Sequence, residues 1–270
     1  MTAGPSLVAK TTTTTAAATT AATTTAAIEL IGVTKRFGPR VVLDDVSLSI
    51  AAGRTTVILG PSGTGKSTLL RLATGLLAPE AGTVKTLDVD VFAAKKTELL
   101  RLRRRMGMLF QDNALFGSLS VFDNVAFPLR RVQRTPEPEV RRRVDELLHL
   151  VGLPELGDRV PDRLSGGQRK RVALARAMAL SPELVLFDEP TSGLDPQTSA
   201  SIDQLIKDTQ TRLGLTFVVI THDIESARII ADDAGLLLDG KVHLFGPRAH
   251  VWASQDPRVR AFLDRTVAST

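Results

Sequence analysis

The segment at residues 60–67, GPSGTGKS, constrains the fold of this chain more than any other stretch of its sequence. Its spacing is Gly-x-x-x-x-Gly-Lys-Ser, and the glycines let backbone N–H groups curl round an anion without Cβ clashes. The run 55–59 before it, TTVIL, predicts a buried strand, and the leucine-rich run 67–77 after it predicts a helix. A helix start adds unpaired donors and a positive dipole end, so this context indicates a phosphate-binding loop rather than an ordinary glycine turn.

This phosphate loop predicts a nucleotide site. We expect Lys66 to reach the β- and γ-phosphates and the Ser67 hydroxyl to ligate Mg²⁺. The nucleotide-binding residues predicted here are Gly60, Pro61, Ser62, Gly63, Thr64, Gly65, Lys66, Ser67 and Thr68.

Composition limits the other possibilities. The 270 residues suffice for one large α/β domain, and the absence of cysteine excludes disulfides and Cys-based zinc sites. No apolar run approaches the ~18 residues needed to cross a bilayer, so a channel would belong to another chain. The net charge of +5 comes with arginine clusters that lack interleaved aromatic residues, and we therefore predict no nucleic-acid binding.

Hydrophobic patterning divides the chain into segments. The stretch before Ile28 is Thr/Ala-rich, and we interpret residues 1–27 as a disordered leader. Strand and helix patterns alternate through 28–246 after a β-rich start, with a wholly helical pattern inserted at about 112–180. The prediction is an α/β fold with a mostly parallel sheet core, an antiparallel β subdomain, an inserted helical lobe and a helical tail at 247–270.

Local patterns give further expectations. Residues 83–91 predict one β segment, and Thr97 is placed as the cap of the following helix. Phe37 has a loop-like context, where it either stacks on an adenine ring or fills the edge of the core.

Two carboxylates come directly after a buried run. Residues 184–187 are continuously apolar, which is typical of a parallel strand covered on both faces, and Asp188 and Glu189 follow. A desolvated carboxylate must be paired or metal-bound. We therefore expect Asp188 to hold Mg²⁺ and Glu189 to orient or deprotonate the attacking water.

Two more polar residues follow predicted strands. His222 comes after the run 216–221, where it would hydrogen-bond the γ-phosphate and hold Glu189. Gln111 ends the run 106–111, and its amide would touch Mg²⁺ or water and report the nucleotide state to the helical lobe.

A second glycine motif opens another predicted helix at 165–168. Its residues Ser165, Gly166, Gly167 and Gln168 form an anion site without a lysine. Two anion sites with one lysine-bearing loop suggest that each nucleotide lies between the phosphate loop of one subunit and the second glycine motif of another. Asp195, in the segment 192–195, would then lie at the interface of such a dimer.

Taken in order, these residues resemble the ATP-binding subunit of ABC transporters. The matching motifs are the Walker A loop at 60–67, the Q-loop residue Gln111, the signature at 164–168, the Walker B strand at 184–189, the D-loop at 192–195 and the switch residue His222. The resemblance runs from about residue 28 to 245. It implies an ATPase that uses ATP and Mg²⁺, and it assigns Phe37 to adenine stacking.

A narrower resemblance concerns the substrate. Residues 107–111, 114–116 and 118–129, with Lys170 and Arg171, look like the Mla/MCE-type phospholipid-transport ATPases. That likeness implies lipid transport through a separate, MlaE-like integral-membrane permease. It also implies a homodimer of ATP-binding subunits, MCE-type lipid-binding and small STAS-type regulatory subunits, and a peripheral location on the cytoplasmic face of the inner membrane.

Other functions stay open at this point. Gln168 is the residue of ABC ATPases in general, whereas the lipid-transport group usually has Met there, so an amino-acid or metal importer is an alternative. A soluble ABC ATPase acting on DNA or on iron–sulfur assembly is another, although the chain has no long coiled-coil insertion. A regulator that binds ATP without hydrolysing it is a third.

Overall fold

The computed structural model describes residues 25–264, which form two β-sheets with helices packed around them. The strands are β1 Ala26–Phe37, β2 Arg40–Ala51, β3 Thr55–Leu59, β4 Ala81–Thr86, β5 Val89–Asp90, β6 Met106–Leu109, β7 Leu184–Asp188, β8 Thr216–Thr221, β9 Asp233–Leu238 and β10 Lys241–Pro247. The α-helices are α1 Lys66–Ala73, α2 Lys96–Arg104, α3 Val121–Pro128, α4 Glu137–Leu150, α5 Gly166–Ala177, α6 Pro196–Leu213, α7 Ile224–Ile230, α8 Arg248–Trp252 and α9 Pro257–Leu263.

The larger sheet carries the core of the fold. Its six strands lie in the order β10-β9-β3-β8-β7-β6, and every neighbouring pair is parallel except β9 with β10. Strands β3, β7 and β8 are buried along their whole length, because helices or the other sheet cover both faces. The smaller sheet, β2-β1-β4-β5, is antiparallel. The predicted α/β fold class is confirmed.

The parallel sheet separates the apolar interior into two clusters. Successive strand residues point to opposite faces, so Val57 and Leu59 of β3 pack with the helical lobe, whereas Ile58 packs with the antiparallel sheet. In β7, Val185 and Phe187 pack with the helical lobe, whereas Leu184 and Leu186 pack with the antiparallel sheet. The three-layer arrangement leaves the carboxyl ends of the parallel strands as the edge where a ligand can approach.

The inserted lobe is built around α3, α4 and α5. A π-helical segment at Leu129–Gln133 joins α3 to α4, and two 3₁₀ turns at Pro154–Leu156 and Pro161–Arg163 lead to α5. The prediction of a wholly helical 112–180 is wrong at its start. Residues 112–120 form turns, because Asn113 and Ala114 adopt left-handed backbone conformations with φ of 61° and 49°.

Five local predictions also need correction. Strand β1 begins at Ala26, inside the predicted leader, and Phe37 is its last residue rather than part of a loop. The predicted β segment 83–91 is a hairpin of β4 and β5, turned by left-handed residues at 87 and 88. Lys95, not Thr97, is the N-cap of α2. Helix α1 ends at Ala73, well before residue 77, because Gly75 with φ +67° breaks it.

The two ends of the chain are only partly described. Residues 1–24 of the predicted leader and 265–270 of the predicted tail lie outside the described residues. The described part of the tail contains α8 and α9. Within residues 25–264, no helix combines the length and the hydropathy that a membrane span needs.

Candidate functional site

A cleft of about 350 Å³ opens at the carboxyl edge of the parallel sheet. It collects residues that are far apart in sequence, from the end of β1, the phosphate loop, and the segments after β6, β7 and β8. Its lining is Phe37, Arg40, Val42, Ser62, Gly63, Gly65, Lys66, Ser67, Thr68, Gln111, Glu189 and His222.

A larger groove lies elsewhere and carries none of the predicted site residues. It measures about 1070 Å³ and runs along α4 past the ends of α5 and α6, with arginines such as Arg141 and Arg212 on its walls. Its larger volume alone would favour this groove as the functional site. The chemistry favours the smaller cleft, because the phosphate loop, the Glu189 carboxylate and a histidine converge there.

Lys66 is the buried cation of the cleft. It is 5% exposed, and its Nζ donates to the carbonyl oxygens of Gly60 at 2.7 Å and Pro61 at 3.1 Å. The same atom lies 3.4 Å from Glu189 Oε1. Burial lowers the pKa of Lys66, while the negative charge of Glu189 opposes the shift. The phosphate loop thus holds its ammonium group in place with main-chain oxygens, beside the first turn of α1.

Ser67 and Asp188 form the part of the cleft that suits a divalent cation. Ser67 Oγ donates to Asp188 Oδ1 at 3.0 Å. Burial raises the pKa of Asp188, against the effect of the Ser67 hydrogen bond, so this carboxylate would gain from a nearby cation. Among residues 25–264, no group of three or more His, Cys, Asp and Glu side chains is arranged so that it could hold a metal ion by itself. A pair of oxygen ligands fits Mg²⁺, which is usually bound by few protein groups together with substrate phosphates and water.

Glu189 and His222 are in direct contact. The Glu189 carboxylate accepts hydrogen bonds at Oε2 from Thr221 Oγ1 at 3.1 Å and from His222 Nδ1 at 3.0 Å. Because an ionised carboxylate can only accept, His222 must carry its proton on Nδ1 in this contact. The other ring nitrogen remains for a group in the cleft. Two neighbouring parallel strands, β7 and β8, place the pair together.

Gln111 and Phe37 lie on other walls of the cleft. Gln111 comes two residues after β6 and exposes its side chain. Phe37 ends β1, is 48% exposed, and has Lys35 Nζ 5.2 Å from its ring centroid. An exposed aromatic face at the rim of a phosphate-binding cleft is the arrangement that stacking on a base requires.

The second glycine motif and Asp195 do not join this cleft within one chain. Ser165 caps α5 through a capping box with Gln168. Ser165 N donates to Gln168 Oε1 at 2.9 Å, and Gln168 N donates to Ser165 Oγ at 3.2 Å. Asp195 caps α6 by accepting from Thr198 N at 2.9 Å. A Cβ on Gly167 would lie 2.5 Å from Thr198 Cγ2, so the starts of α5 and α6 touch each other.

Sequence reasoning missed three residues at or behind the cleft. Arg40 donates from Nη2 to Gly63 O at 3.1 Å, and Val42 lines the same wall. Lys170, in α5, is buried behind the cleft. Arg40 pairs with Phe37 across the β1–β2 hairpin. The predicted position of Phe37 at the nucleotide could therefore have indicated that Arg40 lies near the phosphate loop. Lys170 enters the sequence analysis only through the narrower resemblance, and its burial behind the cleft depends on the packing of α5.

The arrangement can perform phosphoryl transfer to water. An anion cradle with one lysine lies beside a hydroxyl–carboxylate pair, and a second carboxylate contacts a histidine. Such transfer depends mainly on positioning and on charge stabilisation, which these groups supply.

Comparison with known proteins gives matches over most of the chain. The profile of the ABC transporter family matches residues 43–192. The probable ribonucleotide transport ATP-binding protein mkl of Mycobacterium leprae is 45% identical over 238 residues, which cover 88% of this chain and 69% of the relative. The intermembrane phospholipid transport system ATP-binding protein MlaF of Escherichia coli K12 is 43% identical over 237 residues, which cover 88% of each chain.

Solved structures resemble the whole fold. The ATP-binding cassette MJ0796, in a dimeric post-hydrolysis state bound to ADP and phosphate, has a TM-score of 0.73 at 36% identity and covers 82% of this chain and 98% of its own. The protein cbiO1 from Clostridium perfringens, part of the ABC transporter complex cbiONQ, has a TM-score of 0.78 at 32% identity and covers 89% of this chain and 97% of its own.

Proposed function

This chain belongs to the ABC transporter family as an ATP-hydrolysing subunit, and from that premise we propose that it drives phospholipid transport through a separate membrane permease. The observation that carries the lipid substrate is the relative named for intermembrane phospholipid transport, which matches at 43% identity over 88% of both chains. The mycobacterial relatives named for ribonucleotide transport match 88% of this chain but only 66–69% of their own length. A ribonucleotide is therefore the second candidate.

We assign the cleft residues to steps of ATP hydrolysis. The phosphate loop and Lys66 bind the phosphates, and Phe37 stacks on the adenine. Ser67 and Asp188, with Gln111, would hold Mg²⁺, which supplies charge stabilisation to the transferring phosphoryl group. Glu189 accepts a hydrogen bond from the attacking water and takes up its proton.

The role of His222 follows from its two ring nitrogens. Nδ1 donates to Glu189 at 3.0 Å, which holds that carboxylate in one orientation. Nε2 is then the ring nitrogen left for the γ-phosphate, and it can donate to a phosphate oxygen when both ring nitrogens carry a proton. The buried carboxylate and Lys66, 3.4 Å apart, keep the charges of the cleft balanced.

We further propose that the complete site needs two copies of the chain. The N–H groups of Gly166 and Gly167 lie in the first turn of α5 and have no intrahelical acceptor, which suits an anion. They are not part of the cleft of their own chain. In a two-fold dimer, the second glycine motif and Asp195 of one copy would close on the nucleotide held by the other. The MJ0796 cassette, which is 36% identical to this chain, is likewise dimeric with ADP and phosphate bound.

The partners and the location follow from the same proposal. A phospholipid transporter requires an integral-membrane permease, which we propose to be MlaE-like, and the ATPase would act at the cytoplasmic face of the inner membrane. MCE-type lipid-binding and STAS-type regulatory subunits complete the proposed assembly.

Glu189→Gln tests the assigned site. The amide keeps the shape of the side chain but cannot take up a proton, so we expect ATP binding to persist while turnover falls by about 10²–10⁴-fold. ATP should also make the variant accumulate as a dimer, measured by light scattering. Glu139→Gln, on the exposed face of α4, is the matched control and should behave as wild type. Wild-type turnover in Glu189→Gln would remove Glu189 from its role.

A transport assay tests the substrate. The protein is purified with its native membrane partners and reconstituted into vesicles, and ATP-dependent movement of a fluorescent phospholipid and of a labelled ribonucleotide is measured. We expect phospholipid movement that Glu189→Gln abolishes. Movement of the ribonucleotide alone would refute the lipid proposal and favour the second candidate.

A further inference from the structure

Lys170 is as buried as the lysine of the phosphate loop, although it does not line the cleft. Lys170 is 4% exposed and Lys66 is 5% exposed. Burying an ammonium group is costly unless its N–H groups find acceptors. Lys170 Nζ donates to Gln111 O at 2.6 Å and to Glu189 O at 3.3 Å. Both acceptors are main-chain oxygens, so the side chains of Gln111 and Glu189 remain available to the cleft, which both of them line.

The two residues that Lys170 holds leave neighbouring strands at the same level. Strand β6 pairs in parallel with β7, with Leu109 opposite Phe187. Gln111 and Glu189 each come two residues after these partners. A single ammonium group therefore reaches both main chains from outside the cleft and sets the spacing between two side chains that face the nucleotide.

The backbone at Glu189 needs external support. Its φ is +50°, a left-handed conformation that is unfavourable for a residue other than glycine. Its N–H donates to Ile220 O at 3.0 Å, and its carbonyl oxygen accepts from Ser192 N and from Lys170 Nζ, both at 3.3 Å. The contact with Lys170 comes from α5, a helix of the inserted lobe.

The loop after β6 is held by the same helix. Arg176, six residues after Lys170 on α5, donates to the carbonyl oxygens of Asn113 and Ala114, both at 2.7 Å. Lys170 and Arg176 thus attach loop 111–114 to α5 at three points. Hydrogen bonds from charged donors are stronger than neutral ones, so we expect the loop and α5 to move as one unit.

We propose that Lys170 is a positioning residue for ATP hydrolysis, linking helix α5 to the main chains of Glu189 and Gln111. Helix α5 starts in the second glycine motif, so a nucleotide bound to that motif on one subunit fixes the helix that carries Lys170. Through the carbonyl oxygen of Glu189, the same helix sets the carboxylate that works on the subunit's own nucleotide. This inference rests on the ATPase site and the dimer proposed above.

The experiment compares steady-state ATP hydrolysis by wild type, Lys170→Met and Lys170→Arg. Methionine keeps the length of the side chain without donors, so Glu189 loses alignment while the phosphate loop is untouched. We expect kcat to fall at least about tenfold, as misplacement of a catalytic group does, with KM for ATP changed less than about threefold. Lys170→Arg keeps the charge and the donors and should recover part of kcat. Lys207→Met, an exposed lysine of α6, is the matched control and should equal wild type.

The outcomes separate the inference from the proposed function. Wild-type kcat in a folded Lys170→Met would overturn the inference, and so would an equal loss of kcat and ATP affinity, which marks a structural residue. If Lys170→Met does not fold by circular dichroism, Lys170→Gln takes its place under the same criteria. Glu189→Gln is measured alongside: inactive Glu189→Gln with active Lys170→Met rejects only the inference, whereas active Glu189→Gln rejects the proposed site.

Discussion

Replacing Asp203 by Asn should change how the stability of this protein depends on pH. Asp203 lies in α6 and is 1% exposed. Its Oδ2 accepts from Ser226 Oγ at 2.7 Å, whereas Oδ1 has no partner within residues 25–264. Ser226 Oγ also contacts Asp223 at 3.1 Å and Thr191 at 3.3 Å. Burial raises the pKa of Asp203 from 3.8 to about 6, the Ser226 hydrogen bond opposes the shift, and the charge of Asp223 adds to it.

The sign follows from the number of protons bound in each state. Because the pKa is raised in the folded state, the native protein binds more protons than the unfolded chain between pH 3.8 and about 6, and the free energy of unfolding falls as the pH rises. A shift from 3.8 to about 6 costs ~3 kcal/mol above both pKa values, at ~1.36 kcal/mol per pH unit. Of this cost, ~1.4 kcal/mol develops between about pH 5 and pH 8.

Asparagine removes the charge and therefore the pH-dependent cost. Its amide group adds an offset of its own, but that offset does not depend on pH. The difference in melting temperature between Asp203→Asn and wild type should therefore rise by ~3–6 °C from about pH 5 to pH 8, at ~2–4 °C per kcal/mol for a protein of this size.

Thermal unfolding followed by circular dichroism at several pH values measures this difference. Asp208→Asn is the matched control, because Asp208 is exposed on the same helix and should show little pH-dependent change. A difference between Asp203→Asn and wild type that stays constant with pH would refute a buried, proton-holding Asp203. A difference that shrinks towards pH 8 would reverse the sign of the reasoning.

Two further predictions concern the nucleotide. Phe37→Ala should weaken ATP binding about tenfold in calorimetry, because stacking is worth ~1–3 kcal/mol per base and the half-exposed ring of Phe37 is free to stack. The affinity of the same variant for inorganic tripolyphosphate, which has no base, should stay at the wild-type value. Gly167→Val should abolish the ATP-dependent dimer in light scattering and leave ATP binding by the single chain intact. The reason is that a Cβ at residue 167 would lie 2.5 Å from Thr198 Cγ2 and distort the starts of α5 and α6. An unchanged dimer would place the second glycine motif outside the interface.

The sequence predicted the elements whose signal is local. The run 184–187 is apolar at every position, and strand β7 is buried at every position. The second glycine motif is predicted to open a helix, and α5 begins there with Ser165 as its N-cap. These two predictions are confirmed because capping and strand burial depend on a few consecutive residues.

Predictions failed where backbone conformation departs from what the residue types favour. Leu87 adopts a left-handed conformation that a leucine side chain disfavours, so residue type did not predict the turn between β4 and β5. Asn113 and Ala114 likewise turn the start of the predicted helical lobe, held by Arg176 from a helix more than 60 residues away.

By itself, the sequence determined the phosphate loop, the alternation of strands and helices, and the polar residues that end the strands, because each depends on neighbours along the chain. Only the tertiary structure decided which strand ends are adjacent, and so brought Glu189 within 3.0 Å of His222 and both main chains at 111 and 189 within reach of Lys170. The burial of Lys170 and Asp203 was likewise decided by packing. Exposure and the pKa of a carboxylate depend on groups that are distant in sequence, which no local pattern encodes.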